Sequence, residues 1–256
     1  MAFGSHGLRA NAPDSGCVDE RIAEVVASAH GRNIGAFFDL DRTLIAGYSA
    51  TAMLAAQLRS GAMSLPELAR SSRAIVSFLL GRLEFSGFLA ATLAGVAGRH
   101  VSELVDFGHR VFETRVARTI LPDAVRLIAA HREAGHRIVI VSSATAYQVA
   151  PIAAALGIDT WRCTRLERDG DRLTGRLLRP VCYGHGKALA GRELARTYDL
   201  DLEKSWFYTD SDEDLPLLEL VGHPRPVNAN RRLARLAQER GWPISCLRSE
   251  ARRRLV

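Results

Sequence analysis

The sequence predicts an α/β fold: a Rossmann-like, doubly wound parallel sheet with a helical bundle inserted after its first strand. Three observations carry that expectation. Ile34 to Leu40, IGAFFDL, is a short apolar run ending in acid, the pattern of a strand buried on both faces whose C-terminal end meets solvent. Tyr48 to Ile120 carries only helical spacings of apolar residues. After Ile120 helical and strand patterns alternate, as they do when helices cover both faces of a parallel sheet.

Taken in order, residues 1–16 are rich in Gly, Ser, Asn and Pro without periodicity, which predicts an arm, and Val18 to His30 reads as a short amphipathic helix. In the insertion the helical periods are Met53, Leu54, Leu58; Leu68, Ile75, Leu79, Leu83; Phe85, Phe88, Leu89, Leu93; and Leu104, Val105, Val111, Phe112, Val116. Ser64-Leu65-Pro66-Glu67 reads as a capping box with proline in the first turn, so one helix starts there. Beyond it, Pro122 to Ala134 is expected to be helical, Arg137 to Ser142 a buried strand, and Ala146 to Leu156 a helix bent or shortened by Pro151. Thr160 to Leu166 and Arg172 to Leu177, joined across Asp169-Gly170, predict a hairpin. Lys187 to Tyr198 predicts a helix and Trp206 to Thr209 a strand. A helix from Asp212 to Leu220, a strand near Val227, a basic helix over Arg231 to Arg240 and a last strand at Ile244 to Leu247 complete the chain. The expected organisation is an arm and helix at 1–33, an α/β core formed by 34–47 and 121–247, a helical cap at 48–120 and a basic tail at 248–256.

A chain of 256 residues with 47% hydrophobic and 24% charged residues can bury an ordinary core. No apolar run reaches the roughly 18 residues of a membrane-spanning helix, and the N-terminus lacks an apolar signal core, so a cytoplasmic location is expected. Cys17, Cys163, Cys182 and Cys246 are scattered, without zinc-type spacing or the density of a disulfide scaffold, and read as reduced. The net charge of +6 is spread along the chain instead of forming a stripe with interleaved aromatics, which argues against a specific nucleic-acid partner. Arg252-Arg253-Arg254 reads as a solvated tail with at most a weak attraction to anionic substrates or membrane surfaces.

Asp39-Leu40-Asp41-Arg42-Thr43 places two carboxylates and a hydroxyl just beyond the first strand. Such paired charge is costly unless a metal or phosphate chemistry compensates it. A second acidic cluster, Asp210-Ser211-Asp212-Glu213-Asp214, follows the strand SWFYT in the same way. Parallel strands bring both clusters to one sheet edge, where they can meet around a hard cation such as magnesium. Ser142, with the backbone N–H groups leading into the next helix, can hold a phosphate. Lys187, after Gly184-His185-Gly186, supplies a cation able to neutralise a carboxylate and a transferring phosphoryl group. Asp212 and Glu213 read as acids of a helix start, His185 as a solvated turn residue, and Arg42 either balances the acids or contacts substrate.

With these residues the chain resembles the haloacid dehalogenase superfamily, in the branch that includes phosphoserine phosphatases. The family signature is DxDx(T/V), a Ser or Thr after a strand, a Lys, and an acidic motif of the form (G/S)D-x-x-x-D; all four occur here in order between Ile34 and Asn230. The resemblance implies that Asp39 is the nucleophile of a magnesium-dependent phosphomonoester hydrolase. Asp41 would be the acid that protonates the leaving oxygen and then activates water. The metal group would be Asp39, Asp41 through its backbone carbonyl, and Asp210, with Asp214 acting through water or by positioning Lys187. Ser142 and Lys187 would hold the phosphate, and Thr43 would order the loop. A substrate complex is expected to raise the pKa of Asp41.

In that branch a helical cap selects the substrate. Phosphoserine phosphatases carry a glutamate shortly after DxD that meets the substrate's amino group; the corresponding position here is Tyr48, with no acid from Ile45 to Met53. Similar domains occur joined to acyltransferases of phospholipid synthesis, so a glycerol phosphate or lysophospholipid rivals a phosphoserine-like metabolite. A catalytically silent regulatory or scaffolding protein is the alternative from another class, against which the intact acidic, serine and lysine set argues. A dehalogenase would not require Asp41 or the magnesium site, and a receiver domain would not carry the helical insertion.

Overall fold

The computed structural model of the chain describes residues 18–59 and 94–247, with Ala69, Arg73, Ser77 and Gly87 as single helical positions between. The arm, the basic tail, Cys17 and the two middle helical periods with their capping box lie outside the described residues.

Five parallel strands form one sheet in the order β3-β2-β1-β6-β7: β1 Gly35–Phe38, β2 Arg137–Thr145, β3 Thr160–Thr164, β6 Trp206–Thr209 and β7 His223–Pro226. Strand β1 is central, with Phe38 opposite Ile140 of β2 on one side and Tyr208 of β6 on the other. The chain fills the β2 side first and then crosses to the β6 side. The crevice beyond the C-terminal end of β1 is therefore the topological switch point where α/β sheets bind ligands.

The two-residue alternation of strand side chains divides the core. Phe38, Ile140, Trp206 and Tyr208 pack with helices α1 (Val18–Ala27), α4 (Pro122–Glu133) and α5 (Ala146–Ala155). Phe37, Val139, Val141 and Phe207 pack on the other face with α6 (His185–Tyr198), α7 (Leu215–Leu218) and α8 (Arg231–Glu239). All four residues of β1 are buried, which explains its unbroken apolar character.

The insertion leaves and rejoins the core through a paired stem: Ala46 N–H donates to Thr119 O at 2.7 Å and Leu121 N–H to Leu44 O at 2.9 Å. Its described helices are α2 (Ser49–Arg59) and α3 (Val101–Val111), the latter continued by a π-helical turn over Phe112–Val116. No strand occurs between the stem segments among the described residues, although His100 bridges Arg172. Gly108 of α3 packs so closely on α5 that an added Cβ would stand 2.1 Å from Tyr147 O. Pro151, one turn further along α5, has no N–H to give that carbonyl, so the carbonyl is left facing the cap.

Several expected elements differ. Thr160–Thr164 is the edge strand of the main sheet, and the hairpin is instead β4 (Leu166–Asp169) with β5 (Arg172–Leu177). Arg165 alone separates the two strands, too short an interruption to read as a break. The helix expected from Asp212 splits into a 3₁₀ turn, Asp212–Asp214, and the four-residue α7, with Pro216 at its start. The strand expected near Val227 lies at His223–Pro226, and Ile244 to Leu247 contributes only a bridge from Ser245 to Val227.

Candidate active site

The loop after β1 winds about one carbonyl: Leu40 O accepts from the N–H groups of Leu44 at 2.9 Å and Ile45 at 3.2 Å. Arg42 takes a left-handed φ of 59°, unusual for a residue with a Cβ, and Asn228 Nδ2 donates to its carbonyl at 2.8 Å. Main-chain bonds thus order this loop. The Thr43 hydroxyl, expected to do so, is fully buried with no hydrogen-bond partner among the described residues.

Lys187 reaches the same place from the first turn of α6. The turn is tight because Gly186 lies against Val181, where a Cβ would stand 1.8 Å from the carbonyl oxygen. Only glycine fits there. Lys187 is 3% exposed, and its Nζ donates to Asp39 Oδ1 at 2.6 Å and to Asp214 Oδ2 at 2.7 Å. Asp214 Oδ2 also accepts from Thr209 Oγ1 at 2.6 Å, a contact the sequence reading missed because a threonine ending a strand reads as a strand former.

Asp210, beyond β6, is paired through Oδ2 with Arg42 Nε at 3.1 Å. The Arg42 guanidinium also donates to Asn228 O at 3.1 Å and to the Tyr48 hydroxyl at 3.3 Å. Asp41 turns toward the cap: its Oδ1 accepts the Ser49 N–H at 2.7 Å, at the start of α2. Ser142 is buried, but β2 runs three residues beyond it, so it lies within the strand and not at its end. Its Oγ accepts the Ala144 N–H at 3.1 Å, where the pairing with β3 is irregular. His185 is exposed at the start of α6.

Burial governs the electrostatics. It raises the pKa of Asp39 despite Lys187, with Asp214 and Asp41 adding to the rise. Burial likewise raises Asp41, against the Ser49 hydrogen bonds, and pushes Asp210 up to about 6 in spite of Arg42. Lys187 moves up although burial opposes it, because Asp214 and Asp39 favour its charged form. Four carboxylates thus face two cations, an excess of negative charge that suits a hard divalent cation. Among the described residues no three Asp, Glu, His or Cys side chains converge as a metal-ligand set. A cation here would draw on two carboxylates completed by main-chain oxygen, a donor set that magnesium accepts because it retains several waters.

Comparison with known proteins gives the family. Residues 36–219 match the family of haloacid dehalogenase-like hydrolases. Phosphoserine phosphatase SerB1 of Mycobacterium tuberculosis is 35% identical over 214 residues, covering 82% of this chain and 69% of that protein. A histidinol-phosphatase of Neisseria meningitidis is 32% identical over 218 residues, covering 82% and 96%. A crystal structure of a Bordetella pertussis protein of unknown function superposes with a TM-score of 0.77 at 27% identity, over 84% of this chain and 98% of that one. No helix of the described residues is long and apolar enough to cross a membrane. The chain belongs to the haloacid dehalogenase-like hydrolase family, in its phosphoserine phosphatase-like branch, and is an enzyme of the phosphatase class.

Proposed function

We propose that the chain hydrolyses small phosphomonoesters in the cytoplasm through a phospho-aspartate formed at Asp39, with magnesium at the acidic cluster. The observation that carries this reading is Lys187 Nζ, held 2.6 Å from Asp39 and 2.7 Å from Asp214 beside the loops that bear Asp41 and Asp210. A carboxylate attacks phosphorus only where cations suppress its repulsion from the phosphate oxygens. Lys187 is such a cation, in contact with the attacking group.

Asp39, Asp210 and the main-chain carbonyl of Asp41 would hold the metal. When bound, magnesium supplies positive charge to the transferring phosphoryl oxygens. Asp214 acts through water or by positioning Lys187, and its direct contact with the ammonium supports positioning. Asp39 uses the oxygen that Lys187 does not hold: the bond from Asp39 to phosphorus forms, the ester bond breaks, and the departing oxygen takes the proton of the Asp41 carboxyl. The Asp41 carboxylate then removes a proton from water, which attacks phosphorus and releases inorganic phosphate from Asp39. Ser142 and Lys187 steady the phosphoryl oxygens in both steps. Buried carboxyls with raised pKa suit Asp41's exchange between acid and base.

The substrate class is a small phosphorylated metabolite, either phosphoserine-like or a glycerol phosphate or lysophospholipid. Relatives named for phosphoserine and for histidinol phosphate support the former. Tyr48, with its hydroxyl against Arg42, brings no acid to meet a substrate amine, which favours leaving groups without one. The test is phosphate release with magnesium from p-nitrophenyl phosphate, phosphoserine, histidinol phosphate, glycerol phosphate and lysophosphatidic acid, beside Asp39→Asn. Magnesium-dependent release that vanishes in the variant supports the chemistry, and the ranking selects the substrate. Absence of release from every compound by folded protein with bound metal overturns it.

A further inference from the structure

Asp41 is oriented by a chain of contacts that begins in the core and passes through the cap. Ser49 is the first residue of α2, so its N–H has no acceptor within the helix and is spent on Asp41 Oδ1. Ser49 Oγ in turn accepts from Gln148 Nε2 at 2.9 Å. Gln148 belongs to α5, and its Oε1 accepts from both the N–H and the hydroxyl of Thr145, at 3.0 and 2.9 Å, in a capping box. With Oε1 committed to Thr145, the amide presents its N–H to the hydroxyl of Ser49, the residue whose main-chain N–H holds Asp41. Ser49 is 2% and Thr145 4% exposed, and the remaining walls of the small cavity around Ser49 and Gln148 are mostly apolar, including Met53, Phe112, Val116 and Ile152. Burial of Ser49 and Thr145 strengthens the polar chain they satisfy.

We propose that Gln148 is a positioning residue for the leaving-group acid: acting through Ser49, it fixes the Asp41 carboxyl in the orientation from which it protonates the departing oxygen. Ser49 opens the cap and Gln148 lies in the core, so the acid is set only when the cap is seated on α5, the helix that Gly108 also contacts. The inference rests on the role proposed above for Asp41. Gln148 touches no reacting atom.

The test compares p-nitrophenyl phosphate, whose phenolate departs with little protonation, with glycerol phosphate, whose alkoxide needs the acid. Gln148→Leu removes the capping box and the link; Gln148→Glu keeps the acceptor for Thr145 but has no N–H for Ser49. Both variants are expected to lower kcat for glycerol phosphate by about tenfold or more relative to kcat for p-nitrophenyl phosphate, with KM for the latter nearly unchanged in Gln148→Leu. The charge added in Gln148→Glu repels both phosphates alike and cancels in that ratio. An unchanged ratio in both variants, or its recovery in Gln148→Glu, reduces Gln148 to a helix cap and overturns the proposal. Asp41→Asn separates the two levels. If it lowers the ratio and the Gln148 variants do not, the positioning role alone falls; if it leaves the ratio unchanged, the acid assignment falls and takes the positioning role with it.

Discussion

Replacing Lys187 by Met tests whether the buried cation is a structural requirement in addition to the catalytic role proposed for it. Methionine is close in length and volume to the lysine stem, so packing is largely conserved while the charge is lost. Lys187, Asp39 and Asp214 are 3%, 6% and 2% exposed, so two carboxylates would be left without their shared counter-ion in a place that water hardly reaches. Breaking a buried pair in this way costs about 3–5 kcal/mol. For a domain of this size that is a fall in Tm of roughly 6–20 °C, at about 2–4 °C per kcal/mol. Adding Asp214→Asn removes one stranded charge and keeps an acceptor for Thr209, so the double variant is expected to melt above the single one.

Phosphatase activity is expected to stay lost in both, because the cation beside Asp39 is missing from both. The sign with pH is also fixed. Burial already raises the pKa of Asp39 above that of an unfolded chain, and removing the lysine raises it further. The folded variant therefore binds more protons than the unfolded chain over a wider range, and its deficit relative to wild type shrinks as pH falls from 8 toward 5. Calorimetric melting of metal-free protein at both pH values, beside turnover, is the assay. A Lys187→Met protein that melts with wild type, or a double variant that melts below the single, would refute this account of the site.

Gly108→Ala is expected to destabilise by about 1–3 kcal/mol, since the new Cβ meets the rigid Tyr147 carbonyl 2.1 Å away and helix propensity returns only about 1 kcal/mol; a rise in the urea midpoint would show that the cap is not seated so closely. Arg42→Ala is expected to tighten magnesium binding about two- to fivefold in titration calorimetry, because a partly exposed ion pair worth at most about 1 kcal/mol no longer competes for Asp210; weaker binding would place Arg42 among the groups that favour the metal. His131 and His136 form a buried neutral chain in which Tyr208 O–H donates to His131 Nε2, His131 Nδ1–H to His136 Nδ1 and His136 Nε2–H to Ala29 O. Burial lowers the pKa of both, so the unfolded chain takes up protons first, and stability is expected to fall below pH about 6.5 with a slope up to about 1.4 kcal/mol per pH unit per histidine; His131→Gln should flatten it in urea denaturation at pH 7 and 5.5.

The sheet and the acidic loops were legible because both follow from local pattern. A strand buried on two faces must be continuously apolar, and IGAFFDL stops being so where the carboxylates begin. What was not legible is set by contacts between distant segments. Thr160–Thr164 belongs to the main sheet because β2 lies beside it, and nothing in its own sequence separates it from Leu166–Asp169. The π turn at Phe112–Val116 continues the helical period of apolar residues, so periodicity runs through it unchanged. The chain from Gln148 to Asp41 is an intermediate case. Thr145-Ala146-Tyr147-Gln148 has the capping-box spacing, so the glutamine's Oε1 partners could have been read, whereas the direction of its free N–H toward Ser49 depends on the cap.

The two cations of the site are not equivalent, and the difference assigns its two sides. Lys187 is enclosed, holds two buried carboxylates, and could leave only by stranding them. Arg42 is 37% exposed at its side chain and pairs with a single acid, Asp210, whose pKa remains raised to about 6 despite the contact. The metal proposed for the site would displace the weaker and more accessible partner, Arg42, which puts the replaceable positive charge on the Asp210 side and the permanent one on the Asp214 side. Asp39 stands between them, with Oδ1 committed to the permanent charge. Its second oxygen has no hydrogen-bond partner among the described residues, as the nucleophile proposed for this position requires.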